Sequence, residues 1–130
     1  MGQQQLLLII LGVIVVGIAV AVGINFYGAN SVSSNRDAVI ADLTTLASNA
    51  HDYYRKPASL GGGNGSFAGW TVPSSLSQTG NMSLAVVATV AAQRISLLGT
   101  GKDIGTDGVT TVTVTMIISP NSATSTTINN

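Results

Sequence analysis

The chain has no cysteine and no glutamate, and only 8% of its 130 residues carry charge. Without thiols there is no disulfide to staple a small domain and no thiolate to hold zinc or an iron–sulfur cluster. Five basic residues face five acidic ones, all aspartate, for a formal net charge of zero. A nucleic-acid binder needs a concentrated basic footprint, so this balance argues against nucleic acid as a partner. Aromatic residues make up 5% of the chain, too sparse for a conducting stack of rings. His51 is the only histidine and has no thiol or second imidazole with which to share a metal. It is expected as a solvated side chain on a helix face.

What the chain has in excess is apolar length. Its first charged side chain is Arg36. Residues 6–24 (LLLIILGVIVVGIAVAVGI) form an unbroken apolar run of about 19 residues, enough to cross the hydrocarbon of a bilayer as one helix. Three readings compete. A secretory signal peptide needs a cationic start and a shorter core; Met1-Gly2-Gln3-Gln4-Gln5 supplies no cation, although Ala19-Val20-Ala21 imitates a cleavage site. A single-pass anchor fits the length, but no Lys/Arg cluster lies near either end to set its orientation. An assembly stem, buried in lipid or among other stems, fits best.

Beyond the run, Val32, Val39, Leu43, Leu46, Ala50 and Tyr53 fall on one helical stripe interrupted by Arg36, and Ile40, Ala47 and Tyr54 widen it. A break near residues 30–35 (NSVSSN) is conceivable, since Ser and Asn compete for backbone hydrogen bonds. One rod from about residue 2 to 54, roughly 80 Å at 1.5 Å per residue, is favoured. Arg55-Lys56-Pro57 ends it, with cations at the negative end of the helix dipole and proline blocking continuation.

Residues 59–66 (SLGGGNGS) then read as a flexible connector, and Phe67, Trp70 and Val72 as an apolar clasp returning onto the helix. Residues 82–90 and 93–98 are β-rich, although 84–98 could instead form a short helix. Residues 99–108 are dense in turn residues, and Asp107-Gly108 is a hairpin signal. Residues 109–119 alternate cleanly, with Val112, Val114, Met116 and Ile118 on one face and Thr111, Thr113 and Thr115 opposite. The final stretch, SATSTTINN, is polar and expected to be exposed. No internal repeat is evident.

The expected fold class is therefore α+β, in two parts. Residues 1–54 form the long N-terminal helix, with a hydrophobic stem (1–27) and an amphipathic half (28–54). Residues 55–130 form a Gly-rich connector and a small head, an antiparallel sheet of three or four strands packed on the amphipathic half. The roughly 76 residues of that head are few for a lone core, so it is expected to lean on the helix or on neighbouring chains.

Catalytic and cofactor constellations are not found. Asp103 and Asp107 lack the spacing and terminal glutamate of a calcium loop. The glycines at 61–65 lack the Lys-Ser/Thr of a phosphate-binding loop. Any Ser/His/Asp triad would have to recruit His51 from the rod. The expectation is a non-enzyme with no cofactor and no metal. Asn64-Gly65-Ser66 and Asn81-Met82-Ser83 are formal glycosylation sequons, and the Thr/Ser-rich face is a candidate for O-glycans.

The N-terminal residues MGQQQLLLIILGVIVVGIAVAVGINFYGAN, followed by an amphipathic stretch ending in Tyr53-Tyr54, resemble the N-terminal helix of mature type IV pilins and type II secretion pseudopilins. The resemblance covers roughly residues 1–54. It rests on an apolar block beginning within about five residues of the N-terminus, on Tyr27 just past it, and on the aromatic pair near the helix end. Two positions depart from the family. Its usual acidic residue falls at Gln5, which accepts a hydrogen bond but supplies no charge to an adjacent subunit's N-terminal amine. Its usual proline near Val22 is absent, and Gly12, Gly17 and Gly23 are the candidates for loosening the helix there. With no leader before it, Met1 is expected to be the mature N-terminus and a candidate for N-methylation.

The resemblance implies the structural subunit of an extracellular helical filament serving adhesion, attachment or motility. Such a subunit partners copies of itself, and the assembly machinery and inner membrane beforehand. The expected filament core comprises Met1, Gln5, Leu6, Gly12, Gly17, Ala21, Gly23, Phe26 and Tyr27. Arg36, Asp37 and Asp42 are candidates for inter-subunit salt bridges, with a solvated charged face as the alternative. Competing functions are a pseudopilin of a secretion piston, an archaeal adhesion filament or archaellin, and a monomeric single-pass protein with a small binding head.

Overall fold

The computed structural model describes residues 2–129, and within them all side chains but those of 84, 86, 88, 89, 124–127 and 129. The element order is helix α1 (Gly2–Arg55), a 3-10 turn (Ala58–Leu60), the short helix α2 (Ser74–Ser77), and strands β1 (Met82–Ala91), β2 (Arg94–Ile104), β3 (Thr111–Ser119) and β4 (Ser122–Asn129). This is the expected α+β arrangement. The chain divides into two compact units, Met1–Ser31 and Val32–Asn130.

The described residues of the first unit are helix throughout. Residues 6–24 carry ten β-branched side chains and three glycines against four leucines and two alanines. Intrinsic propensity therefore does not favour this helix; an apolar surrounding, where no water competes for the backbone, does. Asn25 does not break it, because its Nδ2 donates back to the Ala21 carbonyl at 3.0 Å.

In the second unit, α1 lies on one face of a four-stranded antiparallel sheet ordered β1-β2-β3-β4. No break occurs at residues 30–35. Asn35 spends its side chain across the fold rather than on its own backbone. Its Nδ2 donates to the Asn81 carbonyl at 3.0 Å, and its Oδ1 accepts from the Asp103 amide at 3.4 Å. The apolar stripe turns inward as its spacing requires: Val39, Leu43, Leu46, Ala47 and Ala50 are buried against Ile95 and Leu97 of β2 and Val112, Val114, Met116 and Ile118 of β3. Each such large side chain contributes about 1.5–3 kcal/mol on burial. Phe67 and Trp70 close the core, with the Phe67 ring 4.7 Å from that of Tyr54.

Three expectations are corrected. Residues 59–66 are not a free connector but a cap on the end of α1. The amides of Gly63, Gly65 and Asn64 donate to the carbonyls of Tyr53, Tyr54 and Lys56, at 2.8, 2.8 and 3.0 Å. These are the carbonyls that a helix end leaves without partners. A β-carbon at Gly62 would sit 2.2 Å from the Lys56 carbonyl oxygen, and one at Gly63 would sit 1.8 Å from that of Ser66, so only glycine lets the chain fold back so tightly.

Second, the turn-rich stretch from Gly99 to Ile104 is strand. Its glycines give α1 room to approach, and the turn itself is confined to residues 105–110, where the Gly105 amide donates to the Thr110 carbonyl at 2.7 Å. The polar tail, exposed at residues 122, 123 and 128 as expected, is edge strand β4, paired with β3 from Thr113↔Asn129 to Ser119↔Ser122. An edge strand needs backbone pairing and only modest apolar content, which is why its composition does not mark it as strand. Third, His51 is half-buried rather than solvated, and its Nε2–H donates to the Ser119 carbonyl at 2.8 Å.

Candidate functional site: the unpartnered apolar helix

Within Met1–Ser31, every described side chain up to Asn30 is exposed. The large apolar residues from Leu6 to Ile24 are each more than half exposed, and Tyr27 is 78% exposed. This segment is long and apolar enough to cross a membrane, and none of it is buried within the chain. Such a helix near an N-terminus passes for a membrane segment or a signal sequence alike. Burying a side chain of this kind is worth about 1.5–3 kcal/mol, so the run as a whole outweighs the 5–15 kcal/mol that typically holds a domain together. The exposed helix therefore requires a covering.

The residues singled out from the sequence are distributed as follows. Gln5, Leu6, Gly12, Gly17, Ala21, Gly23, Phe26 and Tyr27 all lie on this exposed helix, and Met1 lies outside the described residues. A β-carbon at Gly12, Gly17, Gly23 or Gly28 would meet nothing within 4 Å, so packing inside the chain does not account for these glycines. At about 100° per residue, Gly12 and Gly23 share one face, while Gly17, Ala21 and Gly28 share a roughly opposite one.

The charged candidates separate. Asp37 is exposed, whereas Arg36 is half-buried. Asp42 is engaged within the chain: its Oδ2 accepts from the Thr79 hydroxyl at 2.5 Å, and that hydroxyl oxygen accepts from the amides of Met82 and Asn81 at 3.0 and 3.3 Å. The signal for this contact was weak, because Thr79 sits in a polar loop far from Asp42 in sequence. Asn35, equally overlooked, stood beside Arg36 at the edge of the apolar stripe.

Asn64 and Asn81 are both exposed, and Asn64 has a positive φ of 49°. The hydroxyl of each sequon is occupied: Ser66 Oγ accepts from the Ala68 amide at 3.1 Å, and Ser83 Oγ donates to the Thr100 carbonyl at 3.1 Å. An open cleft of about 300 Å³ lies beside the C-terminal half of α1, with Asn49, Asp52, Lys56 and Trp70 in its walls. The indole Nε1–H of Trp70 donates to Asn49 Oδ1 at 3.2 Å, so the most buried polar group there is already satisfied. Among the described residues, no three His, Cys, Asp or Glu side chains gather closely enough to hold a metal.

Asp107, in the β2–β3 turn, has a clear electrostatic bias. The Thr110 hydroxyl donates to its carboxylate, as do the amides of Val109 and Thr110 at 3.0 Å, and these bonds hold its carboxyl below the ordinary aspartate range. Comparison with protein-family models, with curated proteins and with solved structures gives no match to this chain.

Proposed function

We propose that this chain is the structural subunit of an extracellular type IV pilus-like filament, stored in a membrane through its apolar helix and assembled by bundling that helix with copies of itself. The observation that carries the reading is the apolar run at residues 6–24, whose large side chains are each more than half exposed and unburied among the described residues. In a bilayer such a segment is at rest. Moved into water it is unfavourable by about 25 cal/mol per Å² of apolar surface, and a shared core of stems removes that surface from water again.

Small residues on two opposite faces support packing against more than one neighbour. Without a side chain at Gly12 and Gly23, or at Gly17 and Gly28, helix backbones approach closely. Identical subunits joined by contacts that do not close generate an open helical fibre. The subunit then needs no covalent chemistry, only membrane-embedded machinery to extract it. Phe26 and Tyr27 serve as packing residues at the edge of the core. Gln5, in this reading, satisfies the N-terminal amine by hydrogen bonding rather than by charge.

Electron microscopy of material sheared from producing cells, with the subunit identified by intact-mass spectrometry, tests the proposal. Long fibres composed of this chain are expected. A chain found only as single copies in lipid, with no fibres on the cells, overturns it in favour of a single-pass membrane protein.

A further inference from the structure

Within the sheet, charge is distributed in the reverse of the protective pattern. Arg94, Lys102 and Asp103 all lie on the central strand β2, while edge strands β1 (Met82–Ala91) and β4 (Ser122–Asn129) contain no charged residue and no proline. Proteins that remain monomeric blunt their sheet edges with lysine, proline or inward charges, because an open edge offers unpaired amides and carbonyls to any passing strand. Here both edges are long, ten and eight residues, and uncharged along their whole length; β-bulges at residues 83 and 88 of β1 and 125 of β4 bend them but place no charge on them. Among the described residues each pairs with one strand only, β1 with β2 and β4 with β3, and the short helix α2 lies against β1.

We infer that the β4 edge of one subunit pairs with the β1 edge of a second copy, joining neighbouring heads into a continuous sheet along the fibre. The inference rests on the filament reading above, in which all copies point the same way. Strand direction supplies the second argument. In this four-stranded meander β1 and β3 run one way and β2 and β4 the other. Two copies side by side in the same orientation therefore bring β4 against an oppositely running β1. The junction is antiparallel, continues the alternation of the sheet, and uses the more stable kind of ladder.

An odd number of strands would have offered a parallel junction instead. Because the two edges differ, the contact is heterologous: each head presents one edge to the copy ahead and the other to the copy behind, and propagates without closing. The start of β1 is partly occupied by the chain's own loop, where the Thr79 amide donates to the Met82 carbonyl at 3.0 Å, and just past its end the Phe67 amide donates to the Ala92 carbonyl at 2.9 Å. These loops frame the edge and limit the register of an incoming strand.

The absence of native cysteine makes a clean test available. Val90, 44% exposed, and Ala123 lie near one pair of strand ends; Ser83 and Ile128, 41% exposed, lie near the other. Full-length double variants, Val90→Cys with Ala123→Cys and Ser83→Cys with Ile128→Cys, sample two registers of the junction. After mild oxidation of sheared filaments, at least one is expected to give a ladder of trimers and higher species on a denaturing gel, each single variant giving none. In wild-type protein, amide exchange over residues 122–129 is expected to slow about tenfold or more between detergent-dispersed subunits and filaments.

Filaments that form normally, with no ladder from either double variant and no change in exchange, overturn edge pairing alone. Single variants that cross-link into dimers as readily overturn it too, since they mean that like edges meet. Wild-type protein that makes no filament overturns both this inference and the reading on which it rests.

Discussion

Gly99 of β2 lies so close to Val39 of α1 that a β-carbon on it would fall 3.0 Å from Val39 Cγ1, and 3.1 Å from both Leu43 Cδ1 and Met82 Sδ. Carbon atoms in good contact sit about 3.5–4.0 Å apart. The missing side chain is thus what allows the helix to settle on the sheet at this depth. Gly99→Val is expected to destabilise the head by about 1–3 kcal/mol through overpacking. Gly99→Ala should cost less, because the facing methyl groups need shift by only a few tenths of an ångström. Denaturant unfolding of the full chain in detergent, followed by Trp70 fluorescence, reads both, and an unchanged midpoint for the valine variant contradicts the packing argument.

The Asp42–Thr79 contact fastens α1 to the loop that leads into β1. A hydroxyl donating to a carboxylate is stronger than a neutral pair, and hydrogen bonds to charged groups contribute about 1.5–3 kcal/mol where water is largely excluded. Both partners here are only half-buried, so the lower end of that range applies. Asp42→Asn and Thr79→Val should each destabilise by about 1–2 kcal/mol, and the double variant by less than their sum. A double-mutant cycle with strictly additive losses would show that the two side chains do not act together. The same cycle bears on assembly: if filament yield falls only in step with head stability, Asp42 has no separate inter-subunit role.

Asp107 links the β2–β3 turn to pH. Bonds from the Thr110 hydroxyl, then from the Val109 and Thr110 amides, place its folded-state carboxyl below the ordinary value. A group whose folded value is depressed contributes stability that is fully present above the unfolded value, about 3.9, and lost as pH falls through the folded value. The wild-type turn is therefore expected to loosen only in strong acid, below the ordinary aspartate range. Asp107→Ala should remove that acid-side dependence and leave behaviour near neutrality flat. Carbon-detected NMR titration of the carboxyl gives the answer directly, and an Asp107 that titrates at or above the ordinary value refutes this account.

The parts of this molecule legible in the sequence are those whose packing repeats. Val39, Leu43, Leu46 and Ala50 declare their buried face by spacing alone, as do Val112, Val114, Met116 and Ile118 by alternation, because one face of each element meets one core. What stays hidden depends on a partner distant in sequence. Gly99 and Gly101 look like turn glycines until α1 is laid over them, when Gly101 proves to face Asn35. His51 looks solvated until the β3–β4 turn brings the Ser119 carbonyl to it. Strand β4 is almost featureless in composition, since it is held by backbone pairing to β3. The exposed helix is visible in the sequence as a run of apolar residues, but what covers it is not, because no intrachain contact among the described residues buries it.

That separation leads to a prediction about the helix itself. Val15 is at the middle of the apolar run and is exposed. An aspartate at the centre of a membrane helix raises the free energy of insertion by about 2.5–3.5 kcal/mol. The same carboxylate in a dry bundle of stems would be buried with no basic side chain beside it, since the first in the chain is Arg36. Val15→Asp should therefore impair membrane storage and abolish fibres. The head should be untouched, because the core that holds it begins at Val39 and none of the apolar run is buried inside the chain. Two readouts on one variant separate the effects: microscopy of sheared material, and the unfolding midpoint of the head. Normal fibres from Val15→Asp would mean that the apolar run is not the assembly surface. Lost fibres together with a destabilised head would mean that the helix supports the fold rather than the polymer.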